Sequence, residues 1–113
     1  MQISTQELAD GITKVELDGR LDIAGAQAVD LKMNIIAGSA KKLLIDLEKV
    51  SFLGSMGLRS IVLPARAVKS RGGKVVLLAP GEMVESVLKS SGIDTLLPIH
   101  HDLAAAVAVL NEP

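Results

Sequence analysis

Two short apolar runs constrain this chain more than anything else in it. "KLLIDL" (42–47) and "KVVLLA" (74–79) are nearly continuous in apolar residues, without the alternation of a strand that keeps one face in water. Such runs belong to strands covered on both faces, the setting of a parallel sheet with helices packed against it. Between them Leu58, Ile61, Ala65 and Val68 recur at helical spacing, with Arg59, Arg66 and Lys69 among the polar positions. A strand, a helical crossover and a second strand therefore follow one another. Pro64 lies inside the helical pattern and is expected to kink or split the helix, because it removes a backbone donor and crowds the preceding turn. The Gly72-Gly73 pair ends the element.

The flanking segments extend the same theme. "MQISTQEL" and "ITKVELDG" read as two strands around a tight turn at Asp10-Gly11, since glycine accepts positive φ without strain. In "GAQAVDLKMNIIA" (25–37) Ala28, Leu31 and Ile35 mark the buried stripe of a helix, widened by Met33 and Ile36 and stopped by Gly38. A further helix follows Pro80-Gly81, with Met83, Val84, Val87 and Leu88 inward and Gly92 as its stop. "TLLPIH" (95–100) is a strand that Pro98 confines to a sheet edge. "DLAAAVAVLNE" is a last helix capped by Asp102. The expected order is ββαβαβαβα: one α/β domain over 1–113, a mixed sheet of four to five strands and about four helices.

Composition removes several functions. With 113 residues, 49% of them apolar, the chain can bury a core without staples. It has no Cys, so thiolate chemistry, cysteine-bound zinc and disulfides are excluded. A net charge of -1 with dispersed signs gives no electrostatic footprint for nucleic acid or an anionic membrane, and Phe52 as the one aromatic provides no stacking platform. The N-terminus lacks a basic segment followed by an apolar core, and no apolar run approaches the ~18 residues of a membrane span. These features predict a cytoplasmic protein without membrane insertion.

The stretch with the most chemical promise is "FLGSMGLRS". Ser55 stands where the second helical pattern begins and is expected to cap it, accepting a hydrogen bond from the N–H of Gly57 or Leu58. The same free N–H groups and the helix dipole suit an anion, so a phosphate on Ser55 would be tolerated there, with Arg59 one turn on to help hold it. Nucleophilic catalysis has less support. Gly54 adjoins the serine, which breaks the spacing of a nucleophile elbow, and the only histidines, His100 and His101, belong to a loop before the last helix. "SRGGK" lacks the hydroxyl residue of a phosphate-binding loop. Asp18, Asp22, Asp46 and Glu48 have no metal-ligand spacing, and the first two flank a glycine turn. No metal or cofactor is expected, and no enzyme activity. Met56, if exposed, is a flexible apolar contact for a partner; a packing role is the alternative.

Taken together, "LIDLEKVSFLGSMGLRSIVLPARAVKSRGGKVVLLAP" resembles the signature region of the STAS family, of the bacterial anti-sigma factor antagonist type. "VELDGRLDIAGAQAVDL" and "VESVLKSSGIDTLLPIHHDLAAAVAVL" extend the similarity over essentially the whole chain. The resemblance implies a binding module whose partner, an anti-sigma factor that is also a serine kinase, phosphorylates it; a phosphatase reverses the change. It places the phosphoacceptor on Ser55, Asp22 beside the binding surface, and Gly57 and Leu58 at the helix opening. Gly54, Met56 and Arg59 complete the expected partner face. Gly54 departs from the family pattern, which has Asp before the serine, and Met56 replaces a small residue. A second reading within the family is a constitutive docking subunit, for instance of an ABC-type lipid transporter, that is never phosphorylated.

Overall fold

Asp10 and Gly11 both take positive φ, 65° and 74°, and reverse the chain as their side chains allow. This turn joins β1 (Gln2–Glu7) to β2 (Ile12–Leu21) in an antiparallel pair, with Glu7 opposite Thr13 and Gln2 opposite Asp18. The computed structural model describes residues 1–113. After β2 come α1 (Ile23–Ser39), β3 (Lys42–Leu53), α2 (Ser55–Ser70), β4 (Lys74–Leu78) and α3 (Glu82–Ser90). A one-turn α4 (Ile93–Leu96), β5 (Ile99–His100) and α5 (Leu103–Leu110) complete the chain. The five strands lie side by side in chain order, and every pair after the first is parallel.

The apolar runs are explained by two cores of unequal size. Leu43, Ile45 and Leu47 of β3 point to one face, with Val75 and Leu77 of β4, and meet Val29 and Met33 of α1, Ile61 and Ala65 of α2, and Leu88 of α3. Leu44, Val76 and Leu78 point to the other, where Ala106 and Leu110 of α5 cover them. Period-two geometry thus sends successive apolar residues to different helical layers. Asp46 comes next on the α5 side and is buried, with Lys14 Nζ at 3.5 Å and its Oδ1 accepting from the Glu48 N–H at 3.0 Å. Asp102 caps α5, accepting from the Ala105 N–H at 3.0 Å, and Gly92, at φ 81°, ends the turn after α3.

Several expectations are overturned. In α1 the buried residues are Gly25, Ala26, Val29, Met33 and Ala37, whereas Ala28, Leu31 and Ile35 face solvent. The cause is a close approach: a Cβ on Gly25 would stand 2.1 Å from the Arg20 carbonyl oxygen, so that side of α1 must face the sheet. Gly38 lies within α1, which ends one residue later at Ser39. Asp18 belongs to β2, not to a turn. The strand read at 42–47 does not stop at Leu47: β3 continues through 48–53, paired with β2 across two register shifts. Pro64 does not split α2; it is buried inside one continuous helix, where packing outweighs the lost hydrogen bond. "TLLPIH" is strand only at Ile99–His100, because Thr95 and Leu96 close α4 and Pro98 has no N–H to give. It is the sheet edge, as Pro98 implied.

Candidate functional site

α2 begins one residue earlier than a Ser55 cap requires. Gly54 occupies the cap position in an extended conformation, and its carbonyl accepts the first helical bond, from the Leu58 N–H at 2.9 Å. No side chain caps this end. Ser55 is the first helical residue; it is exposed, and its hydroxyl makes no hydrogen bond within the protein. The N–H groups of Ser55, Met56 and Gly57 precede that first helical bond and so lack a helical acceptor. This corrects the capping assignment: Ser55 Oγ is held beside free donors at the positive end of the helix dipole, but is not engaged by them.

Two glycines seat this turn against the end of β2. The Gly54 N–H donates to the Leu21 carbonyl at 3.1 Å. A Cβ on Gly57 would lie 2.1 Å from that same carbonyl oxygen and 2.6 Å from Leu21 Cγ, so only glycine allows α2 to approach so far. Gly57 is buried and half-buried Leu58 packs on the main core. Their side of the turn faces the protein, leaving Ser55, Met56 and Arg59 as its solvent-facing residues.

The neighbouring α1 starts on the same edge. Asp22 is its cap, with Oδ1 accepting from the Gly25 N–H at 2.8 Å and Oδ2 lying 3.5 Å from Arg20 Nε. The Gly25 N–H holds the Asp22 carboxyl below its ordinary range, and Arg20 adds to the effect. Arg20 also stacks on Phe52, its guanidinium carbon 4.5 Å from the ring centroid. That ring borders Gly54, where a Cβ would come within 3.2 Å of Phe52 Cε2. Arg20 and Phe52 were not legible as site residues, because only the β2–β3 register makes them partners. The edge therefore presents a free hydroxyl, open N–H groups, an ordered cation in Arg20 and a second cation in Arg59.

A shallow groove of about 220 Å³ continues from Met56 and Arg59 between α1 and α2, past Asp30, Asn34 and Leu63. Ser60, at its floor, ties the helices by donating to Asp30 Oδ1 at 2.5 Å. A larger hollow of about 670 Å³ on α3 is an open surface lined by Glu82, Glu85, Ser86, Lys89 and Ser90, without apolar cover. Histidine does not reach Ser55: His101 is paired with Glu85, at 2.8 Å. The Ser55 hydroxyl thus has no hydrogen-bonded base beside it. No helix of the chain is long and apolar enough to cross a membrane.

Known proteins share this architecture. The chain is 25% identical over 105 residues to BtrV of Bordetella bronchiseptica, provisionally named an anti-sigma factor antagonist, across 92% of this chain and 90% of that one. An anti-sigma factor antagonist from Mycobacterium paratuberculosis has 27% identity and a TM-score of 0.84, over 98% of this chain and 96% of that one. The anti-sigma factor antagonist SpoIIAA, a Bacillus cell fate determinant, shares the fold when unphosphorylated (TM-score 0.80, 18% identity, 99% of each chain). It also shares it when phosphorylated (TM-score 0.73, 19% identity, 96% of this chain and 99% of that one). The STAS domain model matches residues 4–106, and this chain belongs to the STAS domain family.

Proposed function

We propose that this protein is an anti-sigma factor antagonist, a binding module and not an enzyme, switched by phosphorylation of Ser55. The observation that carries the reading is the unengaged, exposed Ser55 hydroxyl at an uncapped helix start. In the unmodified state the edge formed by Ser55, Met56, Arg59, Asp22 and Gly54 docks on the anti-sigma factor, a serine kinase. That kinase transfers the terminal phosphoryl group of ATP to Ser55 Oγ, and ADP leaves. The added charge of about -1.5 to -2 is held by the free N–H groups of α2, with Arg59 and Arg20 in support. It disfavours the complex by local charge and bulk, without refolding the domain. A phosphatase restores the hydroxyl. This exchange takes place in the cytoplasm, with no direct contact to nucleic acid.

Relatives in the same fold bear this name, and SpoIIAA exists in both phosphorylation states, which supports the reading. The test is incubation with the cognate kinase and ATP, followed by peptide mass spectrometry and binding titration. Phosphate is expected on Ser55 and nowhere in Ser55→Ala, and Ser55→Asp is expected to weaken kinase binding at least tenfold, about 1.4 kcal/mol. An unmodified Ser55 together with undiminished binding by Ser55→Asp would overturn the switch and leave a constitutive docking role, as in a transporter subunit.

A further inference from the structure

The face of α1 turned away from the sheet is as apolar as the face turned toward it. Ala24, Ala28, Leu31, Ile35 and Gly38 succeed one another at spacings of four, three, four and three, the seam of a paired helix. All five are exposed, Leu31 at 74% and Ile35 at 65%. The opposite side, with Val29, Met33 and Ala37, is fully occupied by the core. A helix apolar on both sides is normally covered on both sides, and here one cover is missing.

We infer that a second copy of this chain supplies it, through an antiparallel pairing of α1 with α1. The seam is complementary to itself in that direction. A two-fold axis at the level between Val29 and Asp30 sets Ala28 against Leu31 of the second copy and Ala24 against its Ile35. By symmetry that makes four layers, each of one small and one large side chain, which interdigitate without a gap. Parallel pairing sets Ala28 on Ala28 and Leu31 on Leu31, leaving voids between crowded layers. The flanks agree with the antiparallel choice. Gln27 falls beside Asn34 of the second copy, an amide pair, and Lys32 falls at the level of Gly25, so no like charges oppose each other. A net charge of -1 adds little repulsion between copies.

A seam of this length covers less than the ~800 Å² a side of a standard interface, so the dimer is weak and exchanging. It runs along α1 and does not use Ser55, which makes it independent of the phosphorylation reading.

Sedimentation equilibrium on the full chain up to about 1 mM tests the pairing. The mean mass is expected to rise toward twice the monomer. Leu31→Glu and Ile35→Glu should each weaken association at least tenfold while leaving the thermal melt unchanged, since both side chains are exposed. The direction has its own readout, because the chain has no cysteine of its own. Under mild oxidation, a mixture of Ala28→Cys and Leu31→Cys chains should form the mixed disulfide in preference to either homodisulfide. A monomer at the highest concentration would overturn the inference and leave the seam to a foreign partner. So would association that Leu31→Glu does not weaken, or homodisulfides without the mixed product.

Discussion

α1 and α2 begin side by side, on the ends of adjacent parallel strands, yet their first turns are built in opposite ways. At α1 the Asp22 carboxylate takes the Gly25 N–H, and its other oxygen lies 3.5 Å from Arg20 Nε. At α2 the cap is Gly54, which has no side chain to offer, and Ser55 projects unbound. A capped end has one of its donors already taken by a side chain; an uncapped one keeps all of them for an incoming group. The comparison separates two jobs that a serine or aspartate at a helix start can do. Asp22 holds structure, and the neighbouring end is left chemically open.

The sharpest way to break this picture is through the glycine that seats α2. Gly57→Ala drives a Cβ into the Leu21 carbonyl and is expected to cost about 2–3 kcal/mol in chemical denaturation. A loss below about 1 kcal/mol would mean that α2 is not docked this closely, and the open turn would lose its geometric basis. Next comes the cap of α1. Asp22→Ala should lower the midpoint of thermal unfolding by less than Gly57→Ala, but visibly. The effect carries a pH signature. The folded carboxyl titrates below its unfolded value of about 3.9. Its contribution is therefore fully present above that value and is lost as pH falls through the lower, folded one. The difference between wild type and Asp22→Asn in thermal melts should shrink over that acid window; a difference constant with pH would refute the charge-based cap.

Smaller effects belong to the open end. Ser55→Asp is expected to stabilise the protein by about 0.3–1 kcal/mol at low salt, because a carboxylate at the first helical residue meets free N–H groups and the dipole. The gain should fade in high salt; a destabilisation would show that the end is not electropositive. Smallest of all is Ser55→Ala, which should change stability by less than about 0.5 kcal/mol, as a surface substitution without a lost bond does. A loss near 1 kcal/mol, the usual worth of a cap, would restore the serine to a structural role.

Much of the frame was legible residue by residue. The buried strands follow from "KLLIDL" and "KVVLLA", the first turn from Asp10-Gly11, and the start of α5 from Asp102. These are local signals that neighbours along the chain can satisfy. α1 misled because its pattern is apolar on two sides, and periodicity cannot say which side meets the sheet. Pro64 misled in the other direction: its local cost is real, but burial against the core outweighs it. At the site, the helix start was placed within one residue, and that one residue decided whether Ser55 caps or stands free. Arg20 and Phe52 lie 32 positions apart and meet only through strand register.

By itself, then, the sequence determined the layered α/β frame, the helix beginning beside Ser55 and the family to which the chain belongs. Periodicity, turn chemistry and a set of contiguous motifs are written along the chain. Tertiary structure alone decided the rotation of α1, the one-residue offset that frees the Ser55 hydroxyl and the cation stacked beside it. Each depends on how closely one backbone can approach another. At Gly57 that distance is set by the carbonyl oxygen of Leu21, far back in the chain, and at Gly25 by that of Arg20, across the β2–α1 turn.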